Sequence, residues 1–207
     1  MRAAATVFVV DDDASVRRSL TRLLEAAGYT VEAFASAREF LNAAQAPGAS
    51  CLVLDLRMPG SSGLDLQKTL AQAVHRIPIV FVTGHGDIPM SVQAMKAGAI
   101  DFLTKPYAAK DLLDAIRRAL DKDTRDLGRE ARTRSIHARV ETLTPRERQV
   151  FALVVTGMLN KQIAAQLGVV EKTVKVHRAR VMDKMRAGSV AELVRLADDV
   201  GVIVATA

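Results

Sequence analysis

Short apolar runs alternate with helical periods along the first part of the chain. Thr6–Val10 (TVFVV), Thr30–Phe34, Cys51–Leu54 (CLVL), Ile79–Val82 (IVFV) and Asp101–Thr104 read as strands. A first helix is expected after the cap Asp13, with Val16, Leu20, Leu23, Leu24 and Ala27 on one face and Gly28 as its stop. Further helices are expected near Ala37–Ala44 (ending before Pro47-Gly48), about Gly63–Val74, about Pro89–Ala97, and from about Ala108 past Leu120. Five βα units with near-continuous apolar strands predict an α/β domain, a doubly wound parallel sheet covered on both faces.

The pattern changes after Asp121. Residues 122–140 are charged and alanine-rich, with Gly128 and no proline, and read as a helical linker. Leu120, Leu127, Ile136 and Val140 are too sparse for a coiled coil. Thr144-Pro145-Arg146-Glu147 is a capping box opening a helix to about Val155, with Gly157 just beyond. Asn160 is expected to cap a short helix ending at Leu167. Gly168 then turns the chain into a longer helix over about Glu171–Met185, and a second capping box at Ser189–Glu192 opens a last helix toward Asp198. The division predicted is residues 1–121, a linker at 122–140, and a small all-α four-helix domain at 141–207.

Composition narrows the class. Of 207 residues, 49% are hydrophobic, enough for packed cores. The lone Cys51 lies in an apolar run, so no disulfide framework is expected and a reducing, cytoplasmic setting fits. No apolar stretch approaches the ~18 residues needed to cross a membrane, and no secretory leader is expected. The +6 net charge is unevenly placed. Up to Asp121 there are 13 basic and 13 acidic residues; from Lys122 onward there are 16 and 10. The second part therefore reads as a basic module for a polyanion.

In an open parallel sheet, chemistry gathers at the carboxyl ends of the strands. Here Asp11 and Asp12 end the first strand, Asp55 the third and Thr83 the fourth, while Lys105 follows the fifth. Three neighbouring carboxylates repel unless a cation lies among them, and hard oxygen ligands favour Mg²⁺. Such a site neutralises an incoming phosphoryl group, with the lysine and the threonine hydroxyl donating to its oxygens. Asp55, the carboxylate most surrounded by these groups, is the expected nucleophile.

The stretches VFVVDDD, VLDLRMPGSSG, FVTGHGD and DFLTKPY resemble the receiver domain of two-component response regulators, over residues 5 to about 121. The resemblance implies a flavodoxin-like sheet of order 2-1-3-4-5 and Asp55 as phosphoacceptor for a histidine kinase. It implies Mg²⁺ held by Asp12, Asp55 and the backbone carbonyl of Arg57, with Asp11 acting through water. Thr83 and Lys105 would contact the phosphoryl group, Thr83 and Phe102 would form the switch, and Lys105–Pro106 would be cis. Tyr107 departs from the pattern, where relatives carry Phe, with little consequence expected.

In the basic part, Ile163, Ala164, Leu167, Gly168 and Val174 have the spacing of a helix-turn-helix. At about 100° per residue, Val174, Val181 and Met185 fall toward a core. Lys172, Val176, Ala179 and Arg180 fall opposite, flanked by Lys175, as suits a major groove. Lys161, His177 and Lys184 are expected to face the groove walls, and Arg178 to lie nearer the core. The segment LTPRERQVFALVVTGMLNKQIAAQLGVVEKTVKVHRARVMDKM resembles the LuxR-type output domain of the FixJ/NarL group. Val170 departs from it, replacing a capping Ser, so some fraying of the recognition helix is expected. The resemblance implies a homodimer when phosphorylated, double-stranded DNA as partner, RNA polymerase as a further candidate partner, and no enzyme activity beyond accepting and losing its own phosphoryl group. A phosphohydrolase with an aspartyl nucleophile is the alternative of another class; it usually carries its aspartates as D-x-D on the first strand, unlike Asp55.

Overall fold

The computed structural model describes residues 5–44, 46, 48–72, 76–84 and 88–201. The chain divides into two units, Met1–Leu127 and Gly128–Ala207.

In the first unit, β1 (Thr6–Val10), β2 (Thr30–Phe34), β3 (Ser50–Asp55), β6 (Ile79–Thr83) and β7 (Asp101–Thr104) form one parallel sheet. Its order is β2-β1-β3-β6-β7. Counting only these five strands, that is the doubly wound 2-1-3-4-5 arrangement the resemblance implies. A short antiparallel ribbon, β4 (Arg57–Met58) with β5 (Ser61–Ser62), follows β3 directly.

Alternation along the buried strands explains why they read as continuous apolar runs. Phe8, Val10, Leu52, Leu54 and Phe81 join Phe40, Leu66 and Ala94 in one core layer. That layer is roofed by α2 (Ala37–Ala43), α3 (Gly63–Leu70) and α4 (Ile88–Lys96). Val7, Val9, Cys51, Val53, Val80 and Val82 face the other way. There they meet Leu20 and Leu24 of α1 (Ala14–Ala26) and Leu112 and Ile116 of α5 (Ala109–Glu141). Cys51 is free and its burial pushes the thiol up, so it is a core side chain of low reactivity.

Caps start the helices where short polar residues precede them. Asp13 accepts from Ser15 N–H, Ser36 from Glu39 N–H and Ser62 from Asp65 N–H. Ala27 departs from expectation: it is the C-cap of α1 and exposed, one residue past the end of the helix. α3 ends at Leu70 with Ala71 as its C-cap, short of the expected extension toward Val74, and α2 ends at Ala43, before Pro47; Val74 and Pro47 themselves lie outside the described residues. α5 runs unbroken for 33 residues through the stretch read as a linker. Gly128 does not stop it: one glycine costs a helix about 1 kcal/mol against alanine, too little to break a run of good helix formers.

The second unit holds the end of α5, then α6 (Pro145–Val155), α7 (Asn160–Leu167), α8 (Glu171–Met185) and α9 (Val190–Asp199). Ile136 of α5 is buried in the same core as Val150, Phe151, Ile163, Val174, Val181, Met185 and Leu193. This small domain is thus built from four helices plus about the last four turns of the preceding one, tied by Arg132 to Asp199 at 2.9 Å and Arg139 Nη1 to Met185 O at 3.1 Å. Thr144 and Glu147 form the expected capping box. Asn160 does not cap α7: it is the first helical residue, behind Leu159, and its Oδ1 accepts from Arg178 Nη1 at 2.9 Å. The predicted domain's last residues, 202–207, lie outside the described set.

Candidate functional site

The carboxyl ends of β1, β3 and β6 bring Asp11, Asp12, Asp55 and Thr83 to one edge of the sheet, and Lys105 follows β7. The register sets Asp55 beside Val82, one residue before Thr83, and Lys105 N–H donates to Thr83 O at 2.7 Å. Carboxylate oxygens of Asp11, Asp12 and Asp55 lie within 4.8 Å of one another.

The three acids are not equivalent. Asp11 is buried and both its oxygens are used within the protein. Oδ1 accepts from Asp13 N–H at 2.9 Å, and Oδ2 from Lys105 Nζ at 2.8 Å. Asp12 is exposed, and its carboxylate makes no hydrogen bond or ion pair among the described residues. Asp55 is half-buried; Lys105 Nζ stands 4.0 Å from its Oδ2, while its buried Oδ1 has no hydrogen-bond partner among the described residues. Burial raises the Asp55 carboxyl above the usual range, with Asp11 adding to the rise and Lys105 opposing it. Burial draws the Lys105 ammonium down, but its hydrogen bond to Asp11 and the charges of Asp11 and Asp55 outweigh that and raise it. Asp55 Oδ1 and the Asp12 carboxylate, neither of them partnered among the described residues, are the donor set a hard divalent cation takes.

Phe102 pairs in register with Phe81 and packs on its ring at 6.2 Å between centroids. Lys105–Pro106 is cis. Tyr107 is half-buried and packs with the α1–α5 layer. Arg57 follows Asp55 by two residues, at the start of the short ribbon.

Two contributors escaped the sequence reading. Arg17, one turn into α1, reaches back to the loop, its Nη1 donating to Asp11 O at 2.7 Å and Asp12 O at 2.9 Å. Gly63 packs beneath Asp55: a Cβ there would lie 2.6 Å from Asp55 O and 3.0 Å from the Phe81 ring. A glycine opening a helix straight after the Asp55 loop was the available signal for the second; for the first, an arginine one turn after the aspartates.

In the helix-turn-helix, Val174, Val181 and Met185 are fully buried, as the wheel predicts. Lys172, Lys175, Val176 and Arg180 are exposed on α8 and Lys161 on α7, with Lys175 paired to Glu171 at 3.2 Å. Val170 caps α8 without a side-chain bond. One expectation fails. Lys184 is not a free wall-facing cation: its Nζ bonds Glu147 Oε2 at 2.6 Å and Thr142 O at 2.9 Å, inside the domain. His177 is half-buried, with Nδ1 turned inward and without a hydrogen bond among the described residues.

Residues 7–117 match the family described as response regulator receiver domain, and residues 141–197 match bacterial regulatory proteins of the luxR family. Nodulation protein W of Bradyrhizobium diazoefficiens is 52% identical over 198 residues, spanning 96% of this chain and 87% of that protein. Transcriptional regulatory protein FixJ of the same species is 42% identical over 203 residues, spanning 98% and 99%. Among solved structures, response regulator StyR superimposes with a TM-score of 0.85 at 49% identity, over 95% of this chain and 99% of that one. No helix among the described residues is long and apolar enough to cross a membrane.

Proposed function

The chain belongs to the response regulators that join a receiver domain to a luxR-family DNA-binding domain, and from that membership we propose that Asp55 is its phosphoacceptor. The protein is a phosphorylation-dependent transcriptional regulator of a two-component system. The observation that carries the assignment is Asp55 Oδ1, a buried carboxylate oxygen with no hydrogen-bond partner among the described residues, at the strand edge that also holds Asp12, Thr83 and Lys105.

Asp12, Asp55 and the carbonyl of Arg57 would hold Mg²⁺, with Asp11, its oxygens already engaged, acting through water. When bound, the ion neutralises the carboxylates and the incoming phosphoryl oxygens. The rest falls to the protein's own side chains. The Asp55 carboxylate attacks the phosphorus of a phosphohistidine on the partner kinase. An O–P bond forms, the P–N bond breaks, and the imidazole leaves with the electron pair. Lys105 Nζ, anchored on Asp11 and 4.0 Å from Asp55, donates to the transferred oxygens, and the Thr83 hydroxyl donates from the neighbouring strand.

Thr83 and Phe102 form the switch in this reading, Thr83 moving toward the phosphoryl group and Phe102 filling the space released. The face affected includes α4, where Ile88, Val92 and Met95 stand exposed at helical spacing, an apolar stripe suited to a second copy of the chain. The dimer would then bind double-stranded DNA through Lys172, Lys175, Val176 and Arg180, with Lys161 on the backbone, and act in the cytoplasm on transcription by RNA polymerase. The protein would do no chemistry beyond gaining and losing its own phosphoryl group.

Incubation with a small phosphodonor and Mg²⁺ should add one acid-labile, hydroxylamine-sensitive phosphoryl group, and Asp55→Asn should abolish it. Undiminished labelling of that variant, or labelling indifferent to Mg²⁺ removal, would overturn the assignment.

A further inference from the structure

The loop that carries Asp11 and Asp12 is held from several sides. Asp13 N–H donates to Asp11 Oδ1, Ser15 N–H to Asp13 Oδ1, and Lys105 Nζ to Asp11 Oδ2. None of these contacts touches Asp12. Its carboxylate makes no hydrogen bond or ion pair among the described residues, so its direction depends on the backbone to which it is attached. That backbone is fixed by Arg17, whose Nη1 donates at once to Asp11 O and Asp12 O, at 2.7 and 2.9 Å. One nitrogen thereby sets the peptide planes on either side of the Asp12 α-carbon.

We propose that Arg17 is a positioning residue for the cation site, aiming the Asp12 carboxylate at the position beside Asp55 without touching cation or phosphoryl group itself. The proposal rests on the reading of Asp12 and Asp55 as cation ligands. The physical reason is preorganisation. A divalent ion needs its oxygen donors held in place, and groups that orient the ligands control affinity nearly as strongly as the ligands do.

Charge and position predict opposite signs here, which makes the proposal sharp. Arg17 is itself a cation near a cation site, so removing it on Coulombic grounds alone should tighten binding. If its role is to hold the two carbonyls, removing it should weaken binding.

The test is a Mn²⁺ titration of the full chain without phosphodonor, reading free Mn²⁺ by electron paramagnetic resonance. Arg17→Met should raise the dissociation constant ~10-fold, the lower end of what loss of an orienting partner costs. Arg17→Lys keeps donors on a stem of similar reach and should recover most of that loss. Arg18→Met removes the same charge from the next residue, which is exposed, and should leave affinity unchanged or slightly tighter. Melting in EDTA confirms that the variants are folded, and Arg17→Gln replaces Arg17→Met if the latter is not. An Arg17 deletion variant binding Mn²⁺ as tightly as the wild type, or tighter, overturns the proposal, as does Arg17→Lys binding as weakly as Arg17→Met. A wild-type chain that binds no Mn²⁺ removes the cation reading of Asp12 and Asp55 and this proposal with it.

Discussion

Lys184 Nζ lies 2.6 Å from Glu147 Oε2, joining the last turn of α8 to the first turn of α6. The glutamate is buried, with 3% of its side chain accessible, and the lysine is partly covered at 31%. The recognition helix is therefore held at its far end by an ion pair, while the hydrogen bond between Arg178 and Asn160 ties it to α7. Removing the lysine strands a buried carboxylate. Lys184→Met should cost about 2 kcal/mol in urea unfolding of the second unit, less than a fully enclosed pair because Lys184 is partly in water. It should leave the salt dependence of DNA binding unchanged. A salt slope lowered by about one, with stability intact, would return Lys184 to the phosphates.

The same pair predicts an acid limit for the second unit. The hydrogen bond from Lys184, then that from Thr144 N–H, hold the Glu147 carboxyl at about 2, against an ordinary 4.5. The folded state thus stays ionised where the unfolded chain takes up a proton. The contribution is complete above 4.5 and is lost as the pH falls from there toward 2. Urea midpoints of the second unit should decline across that window, and Glu147→Gln should flatten the decline. An equally steep decline in the variant would assign the acid sensitivity to another carboxylate.

Beneath the acidic edge, Gly63 leaves no room for a methyl group, since its Cβ would stand 2.6 Å from Asp55 O. The obstacle is backbone, which cannot rotate away as a side chain could. Gly63→Ala should therefore destabilise the first unit by roughly 1–3 kcal/mol, as overpacking does elsewhere. It should also slow labelling of Asp55 by shifting the loop that carries it. A melting temperature and labelling rate equal to wild type would show that the loop yields.

Phosphorylation should move the chain toward dimer through the exposed α4 stripe of Ile88, Val92 and Met95. Sedimentation with and without phosphodonor reads the mass directly. Thr83→Ala should accept the phosphoryl group yet remain monomeric, because the hydroxyl that draws the switch is gone. Equal masses before and after labelling of the wild type would reject the dimer.

What could be read from the sequence was what depends on period. Strands buried on both faces are apolar throughout, so their ends, and with them Asp11, Asp12, Asp55, Thr83 and Lys105, were placed by counting alone. The buried face of α8 was found the same way, since Val174, Val181 and Met185 recur at helical spacing. What depends on a partner distant in the chain was not legible. A helical wheel gives Lys184 a direction but cannot say that Glu147, 37 residues away, occupies it. Asn160 has the composition of a cap, yet Arg178 claims its side chain. The end of α5 reads as a charged linker because Ile136 is its one fully buried apolar residue, and a single apolar residue makes no period.

That last contact decides where the DNA-binding domain begins. Ile136, Arg132 and Arg139 belong to its core and its surface ties, so a fragment opening at Glu141 lacks them. A fragment from Gly128 is the one expected to fold and bind. One helix-turn-helix reads few base pairs, so a two-fold dimer should protect an inverted repeat with half-sites about one helical turn apart. Lys175 and Arg180 project from the exposed face of α8. Replacing either with Ala should cost ~1–3 kcal/mol on the specific site and relax base preference there. Lys161, exposed on α7, should instead weaken specific and scrambled duplexes alike and lower the salt slope by about one. Titrations of both duplexes at several salt concentrations separate these outcomes. Equal losses on both duplexes for Lys175→Ala and Arg180→Ala would move those residues from the bases to the backbone. Failure of the Gly128 fragment to bind either duplex at low salt would remove the DNA-facing assignment of α8 itself.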